Sequence, residues 1–343
     1  MVIKYKISPT KISNLELNLK NQNKLNLIMI TIKEIQKAHE RIIPFIHRTP
    51  IFTNKSLNQE SGAELYFKCE NFQKAGSFKI RGATNAVMLL SDNELGKGIA
   101  TASSGNHGAA LAMAVTSRSG SVQVVMPKNT PQIKVENVMR NGGEIIWCEP
   151  NIKSREKVLK KIIDETGSIL IHPYNDRNII VGQGTAAKEF VEDVPNLDII
   201  VSPVSGGGLL SGTLIYSKEI NSKVFVYGAE PEEANDAFRS LKHGSIQLNK
   251  TTNTICDGLR AQLGDLNFSI IKEKVDEIIT VSEKEIINAM RMVWERMKII
   301  VEPSCAITLG AILKRKDEIK GKKIGLIMSG GNVDLSQLPW RED

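Results

Sequence analysis

The sequence predicts an α/β protein with two doubly wound parallel sheets, and three features support this prediction. Nine short apolar runs, nearly all rich in valine and isoleucine, lack the apolar–polar alternation of strands that expose one face. Helical stretches of about ten residues separate these runs, as expected for helices that cover both faces of a parallel sheet. Nine strands are also too many for one comfortable sheet, so we expect two domains. The predicted strands are 65–69, 99–102, 122–126, 145–148, 169–172, 199–204, 224–228, 278–281 and 324–328.

The most unusual residues follow predicted strands. Ser-Ser-Gly-Asn-His-Gly follows 99–102, Ser-Gly-Gly-Gly follows 199–204, and Ser-Gly-Gly-Asn follows 324–328. In open parallel sheets, ligands bind at the carboxyl ends of the strands, in the loops that lead into helices. We therefore expect these three loops to contribute to one site.

The charge of the chain does not indicate a nucleic-acid-binding protein. The formal net charge of the 343 residues is +7, but residues 1–28 hold five lysines and one glutamate, a net +4. The remaining residues carry only +3 and contain no block of lysine and arginine, so a basic binding face is not supported. Residues 1–28 are rich in asparagine and lack arginine, which fits a targeting peptide poorly. We expect them to form a disordered N-terminal extension.

The cysteines and the apolar runs bear on location. Cys69, Cys148, Cys256 and Cys305 are scattered among apolar residues and form no CxxC pair, which favours buried, reduced thiols and a cytoplasmic protein. No apolar run approaches the roughly 20 residues that span a bilayer, so we expect no membrane insertion.

Lys79 is the first candidate for chemistry. It lies in the segment Ser77-Phe-Lys-Ile-Arg-Gly-Ala83, just before an apolar run at 86–90. We expect Lys79 to open a helix with its amine pointing inward at a cleft. A desolvated lysine has a lowered pKa and can form a Schiff base with an aldehyde. The alternatives are a buried lysine whose amine reaches water, or an ordinary cation at a helix start.

The loop at residues 103–108 is a candidate carboxylate pocket. Two hydroxyls, an amide and two glycines at a helix N-terminus expose backbone N–H groups, which suit an anion. The alternative is an ordinary strand-to-helix turn with a serine cap. His107 alone is more often a structural histidine than a base.

The glycine loop at residues 205–208 is a candidate phosphate site. Successive glycines let consecutive N–H groups converge on one anion. No Gly-Lys-Ser/Thr follows, and the spacing is not that of a dinucleotide fingerprint, so a mono-phosphate cofactor fits better than NAD or ATP. The alternative is a flexible glycine turn.

Ser329 follows the last predicted strand, where its hydroxyl can bind a ring nitrogen without charging it; the alternative is a polar turn. A reactive amine, a carboxylate pocket, a phosphate loop and a neutral hydroxyl together match pyridoxal phosphate and an amino-acid substrate. From about residue 32 to 339, the chain resembles the fold-type-II pyridoxal-phosphate enzymes, in the branch of serine racemases and serine–threonine dehydratases. The cysteine-synthase branch has a different lysine segment and asparagine loop.

The resemblance implies a tryptophan synthase β-like fold with the cofactor in the cleft between the two domains. We expect residues 29–96 and 174–343 to form the large cofactor-binding domain and residues 97–173 the small one. It also implies a homodimer.

The resemblance assigns roles to individual residues. Lys79 would carry the cofactor, with Phe78 beside the ring. Asn106 would contact the ring 3′-oxygen and Ser329 the pyridine nitrogen, while Glu302 lines the cofactor. The residues implied to hold the phosphate are Ser205, Gly206, Gly207 and Gly208. Those implied to bind the substrate are Ser103, Ser104, Asn106, His107, Arg155 and Asp257.

The implied reactions begin when the freed Lys79 amine removes the substrate α-proton. Reprotonation by Ser104 from the opposite face gives racemisation, whereas loss of the β-hydroxyl gives a keto acid and ammonia. We therefore expect a serine racemase that also acts as a serine/threonine dehydratase. One alternative is a dehydratase only, acting on L-threonine, L-serine or 3-hydroxyaspartate; another is a catalytically silent binding protein on the same scaffold.

The resemblance also implies a divalent cation, with Glu230 and Asp236 supplying carboxylates and Ala234 its carbonyl. Such oxygen ligands suit Mg²⁺, Ca²⁺ or Mn²⁺ rather than zinc. The alternative is an acidic helix start favoured by the dipole. The chain has Tyr174 where mammalian-type serine racemases have asparagine. That difference leaves open the ratio of racemisation to elimination and any activation by ATP.

Overall fold

The protein contains two separate parallel sheets, which confirms the predicted α/β class. The computed structural model describes residues 30–103 and 105–340. The predicted N-terminal extension at 1–28 and the predicted proton donor Ser104 therefore lie outside the described residues. No described helix combines the length and the apolar character that crossing a membrane requires.

The larger sheet has six strands in the order β1-β2-β10-β7-β8-β9, all parallel except the antiparallel edge strand β1. Its strands are β1 (Ile51–Phe52), β2 (Glu64–Cys69), β7 (Ile199–Pro203), β8 (Phe225–Pro231), β9 (Glu277–Val281) and β10 (Lys323–Met328). The smaller sheet is parallel throughout, in the order β5-β4-β3-β6. Its strands are β3 (Ile99–Ala102), β4 (Val122–Pro127), β5 (Glu144–Cys148) and β6 (Ile169–Leu170).

All nine predicted strands are present with bounds that mostly agree within one residue, and three differences are larger. Strand β1 was not predicted, because two residues carry too little pattern to identify an edge strand. Strand β6 ends at Leu170 rather than residue 172. Strand β8 extends to Pro231, where Glu230 pairs with Thr280 of β9. Glu230 therefore lies within a strand and not after it.

Thirteen α-helices lie in the described part of the chain, and they cover the sheets. They are α1 (Ile32–Ile42), α2 (Lys55–Ser61), α3 (Lys79–Met88), α4 (Asp92–Gly96), α5 (Asn106–Thr116), α6 (Gln132–Arg140), α7 (Ile152–Thr166), α8 (Arg177–Asp193), α9 (Gly208–Ile220), α10 (Asp236–His243), α11 (Asp265–Lys274), α12 (Glu283–Met292) and α13 (Pro303–Lys314). Helix α1 begins at a capping box between Thr31 and Glu34.

Helix α3 connects the two halves of the molecule. Its residues Ile80, Ala83 and Val87 pack in one apolar cluster with Val122 and Val124 of the smaller sheet. The other end of the lysine segment is joined to the larger sheet, because Ser77 forms a β-bridge with Gly330. The lysine segment thus enters the cleft between the sheets. The predicted boundaries at residues 97 and 173 remain predictions.

Candidate active site

A cavity of about 430 Å³ lies between the two sheets, at the carboxyl ends of strands β3, β7 and β10. It is lined by residues from all three predicted loops, namely Ser103, Gly105, Asn106, His107, Ser205, Gly206, Gly207, Gly208 and Ser329. Phe78, Lys79, Arg155, Asp257 and Glu302 line the same cavity. The structure therefore brings together the described residues that the sequence predicted for the cofactor and the substrate.

Lys79 opens helix α3 at the wall of this cavity, as the sequence predicted. Its Nζ donates to the carbonyl oxygen of Pro173 at 3.1 Å and lies 5.1 Å from the centre of the Phe78 ring. Burial lowers the pKa of Lys79 to about 8, although the nearby Glu302 carboxyl opposes the shift. A fraction of the amine is therefore neutral near physiological pH, which a nucleophile or a base requires.

Main-chain contacts hold Lys79 beside the loop that follows β10. The N–H of Phe78 donates to the carbonyl oxygen of Ser329 at 3.0 Å, and the N–H of Gly331 donates to Gly76 at 3.0 Å. Ser329 is buried, and its hydroxyl forms no hydrogen bond with a described residue. Lys79 and Ser329 line the same cavity, so this hydroxyl would be available to a ring held by Lys79.

The glycine loop exposes backbone donors to the cavity. The N–H groups of Gly206, Gly207 and Gly208 donate to no acceptor among residues 30–103 and 105–340. Gly207 has φ +96°, a conformation that glycine adopts without strain. A Cβ on Gly206 would lie 2.2 Å from Cγ of Tyr174. These unpaired donors at the N-terminus of α9 fit a phosphate group.

The Ser205 hydroxyl, unlike the N–H groups of the glycines, has hydrogen-bond partners within the protein. Its hydroxyl donates to the carbonyl oxygen of Ala261 and accepts from the N–H of the same residue, both at 3.1 Å. The side chain therefore joins the glycine loop to the segment at residue 261. Phosphate binding at this loop would rest on the backbone.

The carboxylate loop combines a serine cap with free donors. The Ser103 hydroxyl accepts from the N–H groups of Gly105 at 3.3 Å and Gly108 at 3.1 Å. The N–H groups of Asn106 and His107 donate to no described acceptor. Burial, with the Lys79 ammonium nearby, holds the pKa of His107 well below its usual range, so this ring is neutral.

Glu302 is the most buried carboxyl of the cavity. Its two oxygens accept from Nδ2 of Asn106 at 2.9 and 3.2 Å, and Oδ1 of Asn106 accepts from Asn332. Burial raises the pKa of Glu302 to about 7, against the effect of the Lys134 ammonium. Glu302 thus fixes the orientation of Asn106.

Lys134 is a cavity residue that the sequence analysis missed. It lies in the first turn of α6, is 7% exposed, and forms an ion pair with Asp257 across the cleft. A Cβ on Gly105 would lie 2.6 Å from Cδ of Lys134. Nothing in the local sequence distinguishes this lysine from a solvated one, because both of its contacts are tertiary.

Arg155 lies on the same side of the cavity as Lys134. It is in the first turn of α7, half-buried, and its guanidinium forms no ion pair with any described residue. Arg155 thus adds positive charge to the cavity beside the Lys79 amine, whereas the charge of Lys134 is balanced by Asp257.

The predicted cation ligands lie between the end of strand β8 and the start of helix α10. Both oxygens of Glu230 accept from backbone N–H groups at the start of α10, Ala237 at 2.9 Å and Phe238 at 2.8 Å. Oδ2 of Asp236 accepts from the N–H of Leu263, while Oδ1 is buried without a hydrogen-bond partner among the described residues. The predicted alternative, an acid at a helix start, therefore describes Glu230 in part.

Electrostatics distinguish this carboxylate pair from a simple helix cap. Burial raises the pKa of Asp236 to about 6, and burial together with the Asp236 charge holds the pKa of Glu230 well above its usual range. The described residues contain no cluster of three or more His, Cys, Asp or Glu side chains suited to a metal ion. A cation at Asp236 Oδ1 would therefore need backbone oxygens or water as further ligands, and Mg²⁺ and Ca²⁺ accept both.

Comparisons with known proteins identify the family of this chain. A family model described as pyridoxal-phosphate dependent enzyme matches residues 42–330. The chain is 50% identical over 313 residues to a serine racemase of Dictyostelium discoideum, covering 90% of this chain and 97% of that protein. It is 48% identical over 310 residues to a beta-hydroxyaspartate dehydratase of Paracoccus denitrificans, covering 90% of this chain and 98% of that protein.

A solved structure shows the same fold. The crystal structure of the Dictyostelium discoideum serine racemase matches with a TM-score of 0.84 and 50% identity, covering 89% of this chain and 99% of that one. The predicted fold is therefore confirmed. Lys79, the glycine loop and the cleft between the sheets belong to a chain that is a member of the pyridoxal-phosphate-dependent enzyme family.

Proposed function

We propose that this enzyme is a pyridoxal-phosphate-dependent serine racemase that also dehydrates serine and threonine to keto acids and ammonia. The observation that carries the proposal is the position of Lys79, an amine with a lowered pKa, in one cavity with the free N–H groups of the glycine loop. Bound there, pyridoxal phosphate supplies an electron sink for the negative charge that develops on the substrate α-carbon.

Different residues of the cavity have different proposed roles. The glycine loop binds the phosphate, and the N–H groups of Asn106 and His107 bind the substrate carboxylate. The Lys79 amine takes the α-proton, which a pKa of about 8 permits. The uncharged Ser329 hydroxyl would hold the pyridine nitrogen without protonating it, which would limit the strength of the electron sink. Ser104 is proposed to return a proton from the opposite face.

The test is to incubate the purified enzyme with L-serine and L-threonine and to quantify D-serine, pyruvate and 2-oxobutyrate side by side. We expect D-serine and pyruvate from L-serine, and both to disappear in Lys79→Ala. A Lys79→Ala protein that still forms either product would overturn the proposal. Ser104→Ala is expected to lower D-serine formation far more than pyruvate formation.

A second candidate function is a dehydratase that acts on 3-hydroxyaspartate. The cavity favours it through Arg155, whose guanidinium has no ion-pair partner among the described residues and can receive a second substrate carboxylate. The relative from Paracoccus denitrificans carries this activity in its name. Abundant pyruvate without D-serine from L-serine, together with faster turnover of 3-hydroxyaspartate, would select this candidate.

Further properties belong to the proposal. We propose a divalent cation, Mg²⁺ or else Ca²⁺ or Mn²⁺, held by Glu230, Asp236 and the Ala234 carbonyl. A homodimeric assembly and a cytoplasmic location complete it. The cleft would separate a large domain of residues 29–96 and 174–343 from a small domain of residues 97–173.

A further inference from the structure

The segment after strand β6 forms a turn that is closed by a histidine ring. Nδ1 of His172 accepts from the N–H of Asn175 at 2.9 Å and lies 3.4 Å from the N–H of Tyr174. Ile171 continues the sheet pairing, since its N–H donates to Ala100 at 3.1 Å. The ring therefore acts as Asn or Asp side chains do when they accept from the backbone two or three residues later.

This turn contacts the Lys79 amine. The carbonyl oxygen of Pro173 accepts from Lys79 Nζ at 3.1 Å, and this is the hydrogen bond that the amine makes with the described residues. Pro173 lies between His172 and the two residues whose N–H groups point at Nδ1. The direction of its carbonyl therefore depends on the turn keeping its shape.

The turn also contacts the glycine loop. A Cβ on Gly206 would lie 2.2 Å from Cγ of Tyr174, so the tyrosine ring packs directly on that glycine. Nδ2 of Asn267 donates to the carbonyl oxygens of both Tyr174, at 3.0 Å, and Gly206, at 2.8 Å. One turn thus contacts both the amine and the proposed phosphate loop.

The ring can play this part only while Nδ1 is unprotonated. Burial lowers the pKa of His172 to about 4, and the charges of Lys79 and Arg155 act in the same direction. Nδ1 is therefore available as an acceptor at neutral pH, and the proton of the neutral ring resides on Nε2.

We propose that His172 is a positioning residue whose Nδ1 acceptor holds the 172–175 turn in the shape that presents the Pro173 carbonyl to Lys79 and the Tyr174 ring to the glycine loop. The inference rests on the proposed role of Lys79 in binding the cofactor. It assigns to His172 no contact with the substrate, and the ring is absent from the cavity lining.

A second role of the ring has to be separated from the first. The His172 and Tyr174 rings meet edge to face, with centroids 4.6 Å apart and planes at 88°. Such a contact would stabilise the turn without any acceptor. Two substitutions divide the roles, because His172→Asn keeps an acceptor atom at the Nδ1 position and loses the ring, whereas His172→Phe keeps a ring and loses the acceptor.

The experiment measures how fast each full-length holoenzyme releases pyridoxal phosphate on dilution, followed by the cofactor absorbance. We expect His172→Phe to release it about tenfold faster than wild type, the effect of losing roughly one hydrogen bond, and His172→Asn to stay within about threefold of wild type. Equal behaviour of the two variants, or a slower His172→Phe than His172→Asn, would overturn the proposal.

A second measurement distinguishes a misdirected Pro173 carbonyl from a general loosening of the fold. The pH midpoint of the absorbance of the Lys79-bound cofactor should fall in His172→Phe, because a misdirected Pro173 carbonyl no longer stabilises the protonated nitrogen. His172→Asn should restore it. His172→Gln, whose acceptor lies one bond further out, serves as a second variant if His172→Phe does not fold, and it should resemble the loss of the acceptor.

The result can be told apart from failure of the proposed function. Reduction of the holoenzyme with borohydride and mass spectrometry of its peptides should locate the cofactor on Lys79 in every variant. A label on another lysine would reject the proposed role of Lys79 and the inference with it. A label on Lys79 with an unchanged release rate in His172→Phe would reject the inference alone.

Discussion

Two lysines, Lys68 and Lys79, lie eleven positions apart in sequence and differ in how their positive charge is paired. Lys68 is fully buried, and its Nζ donates to Oε2 of Glu189 at 2.7 Å and to the carbonyl oxygen of Thr49 at 2.9 Å. The Lys79 amine lines the cavity and donates only to a carbonyl among the described residues. One lysine has a carboxylate partner and the other does not.

The Lys68 region is a closed set of charges, which we call the buried charge cluster: Lys68, Glu70, Arg81 and Glu189. Arg81 donates to Glu70 at 2.7 and 2.8 Å and to Glu189 at 2.8 Å from two of its nitrogens. Two cations thus face two carboxylates. The carboxylates hold the pKa of Arg81 above its usual range. Arg81 lies two residues after Lys79 in the same helix, so the cluster anchors the helix that presents the amine.

The difference relates the pairing of a buried charge to its role in the protein. A charge that is paired and fully hydrogen-bonded stays ionised and contributes to structure, whereas a charge without a counterion has its pKa shifted toward the neutral form and becomes reactive. The same contrast separates Glu189, with its pKa lowered to about 2 by Arg81 and Lys68 despite burial, from Asp236, with its pKa raised to about 6.

The largest effect is expected at Lys79. Replacing it with alanine should reduce formation of both D-serine and pyruvate by at least about 10³-fold, since the amine is proposed both to bind the cofactor and to move the proton. The far-UV circular dichroism should be unchanged, because no carboxylate depends on this amine for its partner. Substantial residual turnover would show that Lys79 is not the reactive lysine, and the contrast with the structural Lys68 would be lost.

The second effect concerns stability at Lys68. Lys68→Met leaves Glu189 with one cation fewer in a fully buried site, and we expect a loss of about 3–5 kcal/mol in the free energy of unfolding. The matched control is Lys128→Met, which removes an exposed pair with Glu149 and should change stability by less than about 1 kcal/mol. Urea unfolding of both variants measures this, and equal losses would contradict the assignment of the cluster as structural.

The third prediction concerns the carboxylate pair. Burial raises the folded pKa of Asp236 above its usual value of 3.8 to about 6, so its contribution to stability is present below pH 3.8 and is lost as the pH rises through 6. Added Mg²⁺ should therefore stabilise the protein much more at pH 7.5 than at pH 5. A hundredfold excess over the dissociation constant corresponds to about 2.7 kcal/mol.

Thermal denaturation with and without Mg²⁺ measures that difference. Asp236→Asn should abolish it. Glu233→Gln, which changes an exposed acid of the same segment, should leave it intact. A stabilisation that does not depend on pH, or that survives Asp236→Asn, would show that the cation binds elsewhere.

The same contrast explains what the sequence could predict. Lys79 and the loops at 103, 205 and 329 carry local signals, because glycines, serines and an inward lysine follow Val/Ile-rich strands at the edge where parallel sheets bind ligands. Lys134 carries none, since its significance lies in an ion pair with Asp257, 123 positions away. Strand β1 and the end of β8 were set by pairing with distant strands, and those partners have no local trace.

The smallest effect tests the comparison most directly, because the same replacement by methionine is made at Lys68 and at Lys79. The pKa of Lys79 is lowered from 10.5 to about 8, so in the cofactor-free protein the unfolded state binds more protons between those pH values and stability rises with pH. At pH 7, below the folded pKa, the full cost of the lowered pKa is subtracted from the free energy of unfolding. Lys79→Met removes this opposition and should raise the urea midpoint of the cofactor-free protein at pH 7, with a gain that shrinks by pH 10. Lys68→Met should lower the midpoint at pH 7, because it removes the partner of the buried Glu189 carboxylate. If both substitutions change stability in the same direction at pH 7, the two lysines are electrostatically alike, and the reactivity proposed for Lys79 needs another cause.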